Sequence, residues 1–271
     1  MSDQSPSPAS VRLRADAITV GYGDRVILDG LDVAVPDGSL TMIIGPNGCG
    51  KSTLLGALAR LLKPSSGTVL LDGVDVHRRP AKEMARELAL LPQGAVTPSG
   101  IDVATLVSRG RYPYQRLLHQ WGPEDEEAVL SAMAATNTVE LADRFVDELS
   151  GGQRQRVWLA MLLAQQTDIM LLDEPTSFLD IAHQYELLEL MRTLREQGKT
   201  QVAVLHDLNQ AARYASHLIV MADGKIVTTG DPETVVTAEL VREVFALESI
   251  VVPDPVTGTP TVVPLDPRSL S

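Results

Sequence analysis

The residues best suited to chemistry begin at Gly45, in the stretch "GPNGCGKS", which fits the pattern G-x-x-x-x-G-K-[ST]. Glycines let a backbone wrap closely round phosphate, so that N–H groups and the positive end of the following helix face the negative charge. The residues this offers to a nucleotide are Gly45, Pro46, Asn47, Gly48, Cys49, Gly50, Lys51, Ser52 and Thr53. Lys51 reaches the β- and γ-phosphates, and the Ser52 hydroxyl ligates Mg²⁺. A second group stands at the ends of apolar runs. "DIMLLDE" stops at Asp173, placed to hold Mg²⁺, and at Glu174, placed to polarise a water in line with the γ-phosphate. His206 ends "QVAVL" in the same way and suits contact with the γ-phosphate. Gln93 follows "LALLP" and can sense both Mg²⁺ and the attacking water, while Tyr22 in "VGYGDR" offers a ring for adenine.

Each of these has a plainer reading. An acidic pair at a strand end can be a helix cap, a single histidine a structural residue, and a tyrosine in a turn a hairpin aromatic. Context decides for chemistry, because the glycine-rich loop follows the apolar run "TMII" and opens a helical pattern. Cys49 sits between two glycines, at a helix start and beside Lys51. Both features lower a thiol pKa, which predicts a reactive cysteine that Mg-ATP shields.

"LSGGQRQR" is a second glycine-rich turn that opens a helix. Ser150 is a good N-cap, and Gly151, Gly152 and Gln153 follow it, so a positive helix end points outward. The first loop already surrounds one face of a nucleotide. A second phosphate-binding device is most useful if it caps the triphosphate held by another copy, so that two chains, head to tail, sandwich two ATP molecules.

These residues need strands that end together. Short β-type runs fill the N-terminal part, separated by Gly, Asp and Pro turn signals. "KSTLLGALARLL" then predicts a helix ending near Lys63-Pro64. "LALLPQ", "DIMLLDE" and "TQVAVLHD" are short and continuously apolar, as parallel strands covered on both faces are. The expected fold class is therefore α/β. Residues 1–10 read as a Ser/Pro-rich disordered tail, and "IVVPDPVTGTPTVVPL" as a terminal β-hairpin. The acidic residues Glu124 to Glu127 fall at a helix start, where compensation of the helix dipole explains them better than a metal does.

Composition narrows the class further. The 271 residues are 44% hydrophobic and 21% charged, ordinary globular values. No apolar run approaches the roughly 20 residues of a membrane span, and no secretory-type start is evident. A net charge of −12 argues against a broad nucleic-acid or anionic-lipid surface, and a single cysteine excludes an internal disulfide.

"LSGGQ", in order with the P-loop, Gln93, "LLDE", "SFLD" and His206, resembles the signature set of ATP-binding-cassette (ABC) ATPases. The likeness implies a P-loop NTPase domain over residues 11–245, with an antiparallel β subdomain, a mostly parallel core sheet and a helical subdomain at about 95–165. Residues 246–271 are then a C-terminal extension. It also implies Glu174 as general base, His206 as switch histidine, and Ser177 to Asp180 as the loop linking two sites, with Asp180 at the nucleotide. Phe178 is bulky where many relatives are small, which bears on communication between sites rather than on hydrolysis. More narrowly, "LVSRGRYPYQ", Trp121, "LDIAHQ" and "HDLNQAARYASH" resemble ATPases of bacterial iron–siderophore, haem and cobalamin importers, especially the ferric-enterobactin kind. That resemblance implies a homodimer at the cytoplasmic face of the membrane. Permease subunits would contact Arg109, Arg111 and Arg116, and an extracytoplasmic siderophore-binding protein would act indirectly. Haem and cobalamin remain alternative cargoes. A non-transport ABC ATPase of DNA repair or chromosome packing is disfavoured, because no sustained heptads separate the P-loop from "LSGGQ".

Overall fold

In a computed structural model, which describes residues 11–94, 99–115 and 121–266, the chain builds two sheets and a helical subdomain round three apolar cores. The expected tail 1–10 and Arg116 lie outside the described residues. The chain starts with β1 (Leu13–Tyr22), β2 (Arg25–Val35) and β3 (Leu40–Ile44), then α1 (Lys51–Leu58), β4 (Ser66–Leu71) and β5 (Val74–Asp75). It continues with α2 (Ala81–Glu87), β6 (Leu88–Leu91), α3 (Val103–Ser108), α4 (Pro123–Ala135), α5 (Gly151–Ala164) and β7 (Ile169–Asp173). Next come α6 (Ile181–Glu196), β8 (Thr200–Val204), α7 (Leu208–Tyr214), β9 (His217–Ala222) and β10 (Lys225–Gly230). The last elements are α8 (Pro232–Val235), α9 (Ala238–Phe245), β11 (Ser249–Pro253) and β12 (Pro260–Pro264).

The larger sheet has the order β10-β9-β3-β8-β7-β6, parallel except for β10. Its strands are apolar on both sides because both sides are covered. Along β3, Leu40, Met42 and Ile44 enter the core shared with α5, α6 and α7, whereas Ile43 faces the core shared with α1 and the antiparallel sheet. That second sheet runs β2-β1-β4-β5. The tail runs pair as β11 and β12, with Val251 opposite Val262.

Helix α1 is shorter than its apolar pattern predicts. The Leu61 and Leu62 N–H groups turn back onto the Gly56 carbonyl (2.8 and 3.0 Å) and Arg60 takes φ 63°, so the chain closes the helix before Lys63.

The helical subdomain has its own core, from Ile101 and Leu106 on α3 and its approach to Val157 and Ala160 on α5. Here the structure corrects the expectation for Arg111. Its side chain turns inward, its Nε 2.8 Å from Asp125 Oδ1 and its Nη1 on the Ala164 carbonyl and Gln166 Oε1 (3.0 and 2.8 Å). The guanidinium also lies 4.1 Å from the Tyr114 ring centroid. A planar group with five donors can satisfy all these partners at once, which is why an arginine tolerates burial here. Asp125 likewise does more than compensate a dipole, since it also accepts from the Gly122 N–H at the start of α4. Arg109 remains exposed. Truncating one partner of such a buried pair strands the other charge. Asp125→Ala is expected to lose about 3–5 kcal/mol of unfolding free energy, read as a lower urea midpoint; an unchanged midpoint would show that the pair contributes nothing net.

Candidate functional site

Four strand ends, those of β3, β6, β7 and β8, deliver the site. After β3 the backbone enters the glycine-rich loop with φ of 153° at Gly45, 78° at Gly48 and 104° at Gly50. A side chain at Gly45 would fall 2.1 Å from the Met221 carbonyl oxygen, so the loop lies directly on β9 and tolerates no Cβ there. Lys51, buried at the start of α1, donates through Nζ to the carbonyls of Gly45 and Pro46 (2.8 and 3.0 Å). The loop thus fixes the ammonium over its own concave side.

A cleft of about 430 Å³ opens there, lined by Tyr22, Asn47, Gly48, Gly50, Lys51, Ser52, Thr53, Glu174 and His206. Arg25 and Ile27 on β2 line it too. Sequence reasoning missed both; the turn "GYGDRV", which brings Arg25 opposite Tyr22, was the available signal. Tyr22 is half exposed, its ring free to offer a flat apolar face.

Ser52, which lines the cleft, donates through Oγ to Asp173 Oδ1 (3.0 Å), and Asp173 itself lies outside the lining. Burial pushes the Asp173 carboxyl up from its ordinary value, against the opposing hydrogen bond from Ser52. Glu174 follows in the left-handed region (φ 51°), which swings its side chain out of line with the strand. Its Oε2 accepts from Gln93 Nε2 (2.7 Å) and Ser177 Oγ (3.1 Å), and its Oε1 lies 2.5 Å from His206 Nε2. The structure thus brings Gln93, Glu174 and His206, expected separately, onto one carboxylate.

Cys49 corrects an expectation. Its backbone belongs to the loop, but its thiol points into the apolar core under it and is 6% exposed. Burial raises its pKa, outweighing the nearby Lys51 charge. Helix-start position alone did not tell which way the side chain would point.

The second glycine-rich turn forms a complete capping box. Ser150 Oγ accepts from the Gln153 N–H (3.2 Å), and Gln153 Oε1 accepts from the Ser150 N–H (3.1 Å). Ser150 and Gly151 are exposed, and none of Ser150, Gly151, Gly152 and Gln153 lines the cleft. A Cβ at Gly152 would lie 3.5 Å from the Phe178 carbonyl oxygen and 3.4 Å from the Leu179 side chain, and Gln155 Nε2 donates to the Pro175 carbonyl (3.1 Å). The loop after Glu174 therefore joins the two regions. Phe178 itself is 77% exposed with φ 66°. Asp180 lies outside the cleft lining. It caps α6, accepting from the His183 N–H (3.0 Å), and lies 2.7 Å from His183 Nδ1.

Residues 28–177 match the family model described as ABC transporter. The chain belongs to the ABC transporter family. Among relatives, the ferric enterobactin transport ATP-binding protein of Escherichia coli (strain K12) is 58% identical over 255 residues, 94% of each chain. The petrobactin import ATP-binding protein of Bacillus anthracis is 51% identical over 253 residues, 93% of each. Among solved structures, a dimeric ATP-binding cassette in a post-hydrolysis state with ADP and Pi superimposes with a TM-score of 0.72 at 26% identity, covering 81% of this chain and 98% of that one. The chain is thus an ABC ATPase with the nucleotide-binding fold of that family.

Two expectations follow. A half-buried carboxyl with a raised pKa, such as Asp173, binds more protons in the native than in the unfolded state, so its ionised form costs stability at neutral pH and the cost fades as pH falls. Asp173→Asn should therefore raise the thermal midpoint of the nucleotide-free protein at pH 8, with the gain shrinking toward pH 4, while ATPase activity falls. A midpoint at or below that of the parent at pH 8 would contradict this. Cys49, for its part, should react slowly with Ellman's reagent in the native protein and quickly in urea; fast native labelling would show an accessible thiolate.

Proposed function

We propose that this ABC ATPase works as a homodimer at the cytoplasmic face of the membrane, hydrolysing ATP to drive ferric-siderophore uptake. The observation that carries the dimer is the position of Ser150: a capped, exposed helix end away from the cleft of its own chain. Two copies, head to tail, would close each cleft with the other's Ser150, Gly151, Gly152 and Gln153. The relatives named for ferric enterobactin transport and petrobactin import support the cargo, and the dimeric cassette supports the assembly. Permease subunits, fed by an extracytoplasmic siderophore-binding protein, would carry the cargo across; among the described residues no helix is long and apolar enough to cross a membrane. Arg109, Tyr112 and Trp121 are each exposed, and these basic and aromatic side chains would be available to the permease.

In hydrolysis, the loop N–H groups and Lys51 would hold the triphosphate, with Tyr22 against the base. Glu174 would take a proton from the water that attacks the γ-phosphorus, the bond to the bridging oxygen breaking to leave ADP and phosphate. His206 and Gln93, already on the Glu174 carboxylate, orient it and the water. Ser52 Oγ and Asp173 Oδ1, 3.0 Å apart at the cleft, fit Mg²⁺, which takes one or two protein oxygens and completes its shell with water and phosphate. When bound, Mg²⁺ would neutralise charge on the phosphates and on the half-buried Asp173.

Mixed dimers test the shared site. One chain carries Lys51→Ala and the other Ser150→Arg, both also carrying Glu174→Gln to slow turnover by roughly 10²–10⁴-fold. Purified through two tags, the mixed dimer keeps one intact site and should trap about one nucleotide per dimer, by the head-to-tail geometry of capped helix ends. Trapping no better than in either parent variant would refute the shared site.

A further inference from the structure

The stretches "LDIAHQ" and "HDLNQA" each place a glutamine in the first turn of a helix, Gln184 on α6 and Gln210 on α7. Gln210 Nε2 donates to Gln184 Oε1 (2.9 Å). Gln184 Nε2 in turn donates to the carbonyls of Leu179 (3.2 Å) and Thr176 (3.4 Å). Gln210 is buried and Gln184 half-buried. A line of amides thus runs from the helix after His206 to the loop after Glu174.

Each end of this line lies close in the chain to a residue of the Glu174 cluster: Gln210 follows His206, and Thr176 follows Glu174. Asp207 Oδ1 accepts from the Gln210 N–H (2.8 Å), so the main chain of Gln210 fixes the turn after His206 while its side chain reaches Gln184. The loop at the other end presents Ser177 Oγ to Glu174 and packs beneath Gly152 of the capped helix end. Helix α7 is braced from behind by the terminal hairpin. The Asn209 carboxamide donates to the Val262 carbonyl (3.2 Å) and accepts from its N–H (2.8 Å), and Arg213 Nη1 lies 3.3 Å from Asp254 Oδ2. With α7 held there, a displacement of the Thr176–Leu179 carbonyls is felt at Gln210 rather than absorbed by drift of the helix.

The side-chain type matters. The position on α6 must donate to main-chain carbonyls and also accept from an amide, which a carboxamide does and neither a carboxylate nor an ammonium can do. We propose that Gln184 and Gln210 are positioning residues for hydrolysis, tying His206 to the loop that orients Glu174 and faces the second glycine-rich turn. This rests on the reading of Glu174 as the base.

The test measures kcat, KM and urea midpoint for Gln184→Ala, Gln210→Ala, their double variant and Gln184→Glu, with Glu174→Gln as control. Each single variant should lose about tenfold in kcat at unchanged KM, since small misplacements of catalytic groups cost that much or more. The double should be no worse than the poorer single, as expected of one shared connection. Gln184→Glu keeps the acceptor for Gln210 but loses the donors to the loop, so it should match Gln184→Ala. Normal kcat in the singles, losses that multiply in the double, or losses that follow the urea midpoint would each overturn the proposal. If Gln210→Ala fails to fold, the two Gln184 variants decide by the same readings. An active Glu174→Gln would instead remove the base on which the proposal rests.

Discussion

The parallel register of β3, β8 and β7 is the constraint on which the site depends. Ile43 on β3 and Asp173 on β7 both lie opposite Val204 on β8, so the three strands end level. The loops that follow must then converge, because a parallel strand can return to the sheet only through a crossover and leaves its carboxyl edge free. The glycine-rich loop, Asp173–Glu174 and His206 are far apart in the chain and adjacent in space for this one reason. Burial of both faces holds the register, since a slip by one residue would exchange the cores that Met42 and Ile43 enter.

A chain of net charge −12 nevertheless brings Lys51 and Arg25 to one cleft beside the glycine-rich loop. At such close range a local field matters more than net charge. Asp173 lies where partial burial makes ionisation costly, against the opposing hydrogen bond from Ser52. Glu174, by contrast, is held by three neighbours from three different loops. Its left-handed backbone is a local strain that the surrounding hydrogen bonds sustain.

The loop from Pro175 to Leu179 connects these features to the rest of the chain. The capped helix grips it through Gln155 and α6 through Gln184. At the other end of α5, Arg111 anchors the Ala164 carbonyl to Asp125 on α4. Both ends of α5 are therefore tied to neighbouring segments.

The sequence by itself determined the chemistry and the architecture. Glycine spacing, apolar runs of strand length and polar residues at their ends are local signals, and each reports a local physical need: close backbone approach, burial on two faces, an exposed strand edge. Thus Lys51, Ser52, Glu174 and His206 were legible before any coordinates, as was the capping box of Ser150 and Gln153 in outline. Tertiary structure alone decided where side chains point. Cys49 and Arg111 both read as outward groups, yet each turns inward, because burial depends on what packs against a residue from distant parts of the chain. Arg25 and Ile27 join the cleft only through the way β2 folds over the glycine-rich loop. The Gln184–Gln210 pair was invisible for the same reason: 26 residues separate two amides whose meeting is set by the packing of α6 against α7. Motifs record what a short stretch must do; partners across the fold depend on a sum of contacts that no short stretch contains.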